Sequence, residues 1–302
     1  MKIQILKVIM TVLGFTATAQ TAEEYFNKGL LKAELNEIKE AITNFTKAVE
    51  INPNHDEAYN YLGLLKAELN DYNGSIAGFT KVIEIDPNFD NVYYNRGCMK
   101  AELKDYEGAI VDYTNAIKIK PNNTSNYYNR GYAKAELKDY QGAIKDYTKS
   151  IELDPNKSEA YSNRGLSKAA LNDYQGAIAD YTKTIEIEPN AFSTFYSRGL
   201  AKINLKDDYG SIADNTKVIE LDPNNAKAYL NRGYSKNNLK NFKGAIADYT
   251  KSLEIDPNHA PAYYNRALSK YFLGDKDSAC KDARKAQGLG LNVSRFINTE
   301  CN

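Results

Sequence analysis

The chain has 302 residues, including 24 Tyr, no Trp, two His and three Cys, and its 39 Lys plus Arg balance 39 Asp plus Glu. Two average domains would fit the length, but so narrow a residue vocabulary points to an internal repeat. The charge balance argues against a nucleic-acid binder, which needs a basic stripe to displace phosphate counterions, while 42% apolar and 26% charged residues exclude both a disordered tail and a membrane bundle.

Residues 1 to 20 carry Lys2 and Lys7, a mostly apolar stretch from Val8 to Phe15, and Ala17-Thr18-Ala19 before Gln20. The apolar run is too short for a bilayer of about 30 Å, and small residues at Ala17 and Ala19 suit a signal peptidase. Residues 1–19 are therefore expected to be a signal peptide, leaving a secreted or periplasmic protein that starts at Gln20. The alternative is an uncleaved anchor or a first helix packed on the rest of the chain. Gln20 rather than Cys stands after the cut, which argues against a lipid anchor, and no later stretch is apolar enough to insert into a membrane after cleavage.

From Pro53 onward, Pro53, Pro87, Pro121, Pro155, Pro189, Pro223 and Pro257 recur every 34 residues, and glycines from Gly29 to Gly233 keep the same spacing, with Ala267 in the eighth place. Taking the prolines as position 32 gives eight repeats, 22–55, 56–89, 90–123, 124–157, 158–191, 192–225, 226–259 and 260–293. In the fourth, Tyr127 to Leu137 is rich in helix formers and ends at a polar Lys138-Asp139 turn. Ala143 to Leu153 has apolar residues at helical spacing and stops at Asp154-Pro155-Asn156. Proline cannot continue the helix, so each repeat is two antiparallel helices. Gly131, Ala143 and Ser150 are small where the helices approach, with Tyr127 and Tyr147 filling the space beside them.

Small residues at positions 8, 20 and 27, aromatics at 4 and 24 and proline at 32 resemble the tetratricopeptide repeat (TPR) over residues 22 to about 290, in a variant with Asn-Arg-Gly in the first helix. The resemblance implies an all-α, right-handed α-solenoid over 22–291, closed by a capping helix over 292–302. In the family, position 7 is usually apolar and position 11 aromatic. Here Arg96, Arg130, Arg164, Arg198, Arg232 and Arg266 stand at position 7, and Lys occupies position 11 in every repeat. Asp112, Asp146, Asp180, Asp214, Asp248 and Asp282, at position 23, appear in the same six repeats as the arginines. Two columns that come and go together predict an interhelical Arg–Asp pair; free anion binding by an arginine ladder is the alternative. The lysines are expected to form a solvated stripe. The glycines at position 19, such as Gly142, have no evident cause beyond close backbone approach. In repeat 6, Asn215 replaces the aromatic of position 24 and Asp207-Asp208-Tyr209 is expected to spoil the turn, which would make this the softest junction.

By the same resemblance, the first helices line the inside of a curve through positions 2, 5, 6, 9, 12 and 13. Tyr94, Tyr128, Tyr132, Tyr196, Tyr234 and Tyr264 beside Asn95, Asn129, Asn163, Asn231 and Asn265 would then form a groove for an extended or helical peptide. The plainer alternative is that these tyrosines pack neighbouring repeats. The family's clamp for a chaperone's C-terminal carboxylate needs Lys at position 5 and Asn at 9; neither combination occurs, which argues against a co-chaperone role.

At the C-terminus, Cys280 and a helix from Asn292 to Cys301 suggest a Cys280–Cys301 disulfide if the chain reaches an oxidising compartment, with Cys98 unpaired. His55 and His259 stand in equivalent turns six repeats apart, and no phosphate loop, nucleophile elbow or zinc-ligand spacing appears. No cofactor, metal or catalytic activity is expected. The residues point to a non-catalytic scaffold that binds a protein or peptide, or alternatively to an accessory or chaperone-like subunit of an envelope secretion or polysaccharide-export machine. The partner's identity and the oligomeric state stay open.

Overall fold

In a computed structural model, residues 20–89 and 91–301 are described; the expected signal peptide, residues 1–19, lies outside them. The described residues form 17 α-helices and no strand. The chain divides into two compact units, Met1–Asn122 and Asn123–Asn302. The first holds α1 (Ala22–Glu34), α2 (Ile38–Ile51), α3 (Asp56–Glu68), α4 (Tyr72–Ile85), α5 (Val92–Glu102) and α6 (Tyr106–Ile119). The second holds α7 (Thr124–Glu136), α8 (Tyr140–Leu153), α9 (Ser158–Ala170), α10 (Tyr174–Ile187), α11 (Phe192–Asn204) and α12 (Asp208–Leu221). It continues with α13 (Ala226–Asn238), α14 (Phe242–Ile255), α15 (Ala260–Phe272), α16 (Lys276–Gly288) and the short α17 (Ser294–Glu300). Each odd-numbered helix from α1 to α15 pairs with the next as a hairpin, the all-α architecture of a solenoid.

The turn inside each hairpin is built the same way. After α7, Lys138 takes a left-handed φ of 63°, its N–H reaches Ala135 O at 2.9 Å, and Asp139 N–H reaches Lys134 O at 2.8 Å. This Schellman pattern satisfies the last carbonyls of the helix. Asp139 then caps α8 by accepting the Gly142 N–H at 2.9 Å. A Cβ on Gly142 would collide with the same carboxylate, so the recurrent glycine at position 19 makes room for the cap. Repeats 1 and 8 agree. Glu37 makes no side-chain cap and is followed by Glu40, whereas Ser278 follows Asp275 with the capping bond lengthened to 3.2 Å.

Between the paired helices the core is one aromatic ring against one glycine. Tyr147 is fully buried and its ring edge would lie 3.0 Å from a Cβ on Gly131; Phe45, Phe79, Tyr113, Tyr181 and Tyr249 face Gly29, Gly63, Gly97, Gly165 and Gly233 in the same way. Repeat 6 departs in its side chains alone. The turn at 206–210 keeps the left-handed Lys206 and the Asp207 cap on Gly210 at 2.9 Å, so it is not spoiled as the sequence suggested. Tyr209 points outward and is 76% exposed, while Asp208 accepts a bond from Asn238 Nδ2 at 2.9 Å. Asn215 lies fully buried over Gly199, donating to Ser211 O (3.0 Å) and Ser211 Oγ (3.2 Å), with its own carbonyl oxygen unpaired.

Candidate functional site

Beneath the first-helix face lies a repeated polar cluster. Asp146, almost fully buried, receives Arg130 Nε at 2.9 Å on Oδ2 and Arg130 Nη2 at 2.7 Å on Oδ1. Lys134 Nζ closes on Oδ2 at 2.7 Å. The same Arg–Asp–Lys arrangement recurs at Arg96, Asp112 and Lys100; Arg164, Asp180 and Lys168; Arg198, Asp214 and Lys202; Arg232, Asp248 and Lys236; and Arg266, Asp282 and Lys270. The expectation of a solvated lysine stripe fails in these six repeats. A carboxylate has more acceptor sites than one guanidinium fills, and the buried Asp takes the ammonium as well. In repeat 1, which lacks the Asp, Lys32 pairs instead with Glu37.

Each guanidinium is used on further sides. Arg164 Nη1 reaches Thr148 Oγ1 of the preceding repeat at 3.0 Å, and its plane lies over the Tyr161 ring at 5.5 Å. Arg198 and Arg232 repeat this with Thr182 and Thr216. Arg164, Arg198 and Arg232 thus each tie their repeat to the one before. The net worth of such a buried set is small, but removing the carboxylate strands both cations, typically at about 3–5 kcal/mol.

Of the face residues singled out in the sequence, Tyr94 and Asn95 belong to the first unit, both half-buried, with the Tyr94 ring 6.0 Å from that of Tyr113. In the second unit Tyr128 is largely committed inside the protein. Its hydroxyl accepts the Asn163 amide at 2.9 Å, its ring lies 5.8 Å from Tyr147, and Lys157 Nζ sits 4.8 Å above it. Burial raises its pKa. Asn163 therefore uses its amide donor internally, and Asn231 has an amide nitrogen buried without a partner. Tyr264 meets Phe296 of α17 edge-on at 6.0 Å, which places it under the cap. Asn129, Tyr196 and Asn265 are half-buried, whereas Tyr132 and Tyr234 are each 42% exposed.

Tyr132 opens onto a cleft of about 330 Å³ between α7, α8 and α9, lined by Ala135, Tyr140, Tyr147, Leu166 and Ala170, with Glu136, Asn163 and Ser167 as polar rim. Leu166 is 49% exposed there. Leu166 and the alanines stand at positions 9, 12 and 13 of the same face, a signal that a reading weighted toward tyrosine misses.

The remaining candidates for chemistry have structural roles. His55 Nδ1 accepts the Ala58 N–H at 3.4 Å and His259 Nδ1 that of Ala262 at 3.2 Å, each capping a helix. Cys98 is half-buried, accepts a bond from the Tyr113 hydroxyl at 3.6 Å, and burial pushes its thiol pKa up. Cys280 and Cys301 are joined in a disulfide. Among the described residues no group of three or more His, Cys, Asp or Glu is placed to hold a metal ion, and no helix is long and apolar enough to cross a membrane.

The chain matches models of the tetratricopeptide repeat at residues 56–89, 91–123, 127–157, 158–191, 226–259 and 248–281, and a TPR repeat model at 29–70. No curated protein sequence matches it. Among solved structures it is similar to the C-terminal part of a TPR repeat-containing protein from Cytophaga hutchinsonii, at 20% identity and a TM-score of 0.68, over 80% of this chain and 98% of that one. It is also similar to MamA (25% identity, TM-score 0.54, 59% and 95% of the two chains). YrrB, a TPR protein with an unusual peptide-binding site, is similar at 20% identity and a TM-score of 0.57, over 63% and 98%. With matched repeats over more than half of its length and consecutive helical hairpins throughout the described residues, the chain belongs to the tetratricopeptide-repeat family.

Proposed function

We propose that this protein is a non-catalytic scaffold that holds an extended or helical peptide segment of a partner protein on the inner helix face of its second unit. The observation that carries this is the cleft between α7, α8 and α9, where Tyr132 and Leu166 present accessible apolar surface beside the rim groups Glu136 and Ser167. Tyrosine gives contact area at low entropy cost and leucine gives apolar bulk, a combination suited to a peptide side chain. The cations nearest the face are already matched by buried aspartates, so binding is expected to vary weakly with salt. YrrB has a peptide-binding site on the same fold. Export to the periplasm or beyond belongs to the same proposal, supported by the composition of residues 1–19 and the Cys280–Cys301 bond.

The test is affinity capture from an extract of the source cells on immobilised wild-type protein, the Tyr132→Ala/Leu166→Ala variant and Tyr209→Ala as an exposed control. The double variant is expected to lose a protein that wild type and control both retain, at an unchanged melting temperature. Equal retention by all three, or loss accompanied by a lowered melting temperature, would overturn the assignment of the cleft.

A further inference from the structure

The last repeat breaks its own packing rule. Where six repeats carry an aromatic ring at position 24, repeat 8 has Ala283, and the facing glycine is Ala267. The missing ring comes from outside the repeat. Phe296 and Ile297 of α17 pack on Ala267, Ala279 and Ala283, and Phe296 meets Tyr271 edge-on at 5.6 Å. The helix that brings this ring has only seven residues, none of them fully buried, and comes after a joint containing Gly290 at φ +93°. It is held by the Cys280–Cys301 bond across 21 residues, by the Tyr271 hydroxyl on the Glu300 carboxylate, and by Gln287 Nε2 on Ser294 Oγ at 3.1 Å.

We propose that the Cys280–Cys301 bond is a thiol-exchange site, at which a dithiol reductant releases α17 and opens the last repeat. The disulfide forms one wall of a cleft of about 490 Å³ that also holds Lys276, Lys281 and Arg284, set against Asp277 and Glu300. Cys301 is the more exposed of the two sulfur-bearing residues, Cys280 being buried to 7% exposure. An incoming thiolate therefore meets Cys301 Sγ first. The cations that share the cleft attract it, which favours exchange. One thiolate of the reductant bonds to Cys301 Sγ as the S–S bond breaks, and the electron pair goes to Cys280 Sγ, which takes a proton from water. The reductant's second thiolate then attacks its own sulfur in the mixed disulfide, and Cys301 leaves and is protonated. Two electrons pass from the dithiol to the cystine, and the dithiol becomes a disulfide. Without the covalent tie, the ring of Phe296 is anchored only by a short helix and a few side-chain hydrogen bonds. This site acts independently of the peptide cleft.

The experiment treats the native full chain with dithiothreitol, alkylates the thiols, and monitors hydrogen exchange by mass spectrometry. Cys280 and Cys301 are expected to be labelled while Cys98 stays unlabelled. Protection of α15 to α17 is expected to fall on the order of 100-fold, the effect of opening a loop of this length, with α7 to α10 unchanged. Lys281→Gln is expected to slow reduction about two-fold without altering protection in the oxidised form. A bond inert to dithiothreitol until the chain is denatured, or unchanged protection of α15 to α17 once reduced, would overturn the proposal; reduction of the charge variant at the wild-type rate would overturn the role of the cations. Phe296→Ala with the disulfide intact isolates the ring, and protection of α15 and α16 that survives this change would likewise count against it.

Discussion

Replacing Asn215 by Phe should stiffen the sixth repeat. Asn215 occupies the slot that Phe79 fills in repeat 2, over Gly199 as Phe79 lies over Gly63, and a buried serine stands one turn earlier in both helices, Ser211 and Ser75. Burying a phenyl ring contributes about 1.5–3 kcal/mol. Removing the unpaired Asn215 carbonyl oxygen relieves a further ~1–3 kcal/mol. Against this, Ser211 loses both bonds from the amide, though its hydroxyl keeps Ser235 Oγ at 3.0 Å. The net gain should be about 2–4 kcal/mol, which corresponds to opening suppressed roughly 30-fold to 1,000-fold. Hydrogen exchange of α11 and α12, read by mass spectrometry on the full chain, measures it. In the wild type these helices should exchange faster than α7 to α10, and in Asn215→Phe they should approach them. Exchange unchanged or faster in the variant would mean that the slot has closed around the amide and that the soft junction lies elsewhere.

Asp146→Ala strands both Arg130 and Lys134 and should cost about 3–5 kcal/mol in denaturant unfolding, whereas Arg130→Ala leaves Asp146 still neutralised by Lys134 and should cost less. The double variant should lose clearly less than the sum, and additive losses would show that the groups do not act as one unit. Burial raises the phenol pKa of Tyr113, Tyr147, Tyr181 and Tyr249 above the unfolded value of about 10. The folded chain then binds more protons than the unfolded one above that pH, so their stabilisation is complete below pH ~10 and lost as pH rises further. Replacing the four by Phe should flatten this alkaline loss in melting curves, and a profile that keeps its slope would assign it to other groups. Lys138→Asn, at a left-handed position where other repeats carry Asn36, Asn70 and Asn172, should gain up to about 1 kcal/mol, and a loss would mean that the Lys138 side chain has a role of its own.

The repeat, its two helices and the Arg–Asp columns were legible because the chain states each feature many times, so that a substitution in one place could be read against the rest. Lys134 was misread for the same reason. Asp146 already had a partner in Arg130, and a column of residues does not show how many donors one buried carboxylate will take. Gly142 could not be explained from spacing, since its cause is the orientation of the Asp139 carboxylate over its Cα. At Asp207-Asp208-Tyr209 the sequence suggested a broken turn, but the capping Asp207 and Gly210 were intact and only the side chains between them had changed. Tyr128 shows the limit at the candidate site. Its position marks it as a face residue, yet Asn163, Tyr147 and Lys157 engage it from within, while neighbouring Tyr132 stays accessible. The loss of the aromatic at Ala283 together with the facing glycine at Ala267 was a readable sign that α17 completes the last repeat.

The proposed seat of the partner segment is the cleft between α7, α8 and α9. Its most direct test places a photo-crosslinking amino acid at position 132 in one strain and at exposed position 209 in another, and irradiates living cells. A discrete crosslinked protein at 132, absent at 209, is the predicted result. Crosslinks at 209 alone, or the same adducts at both positions, would contradict the account.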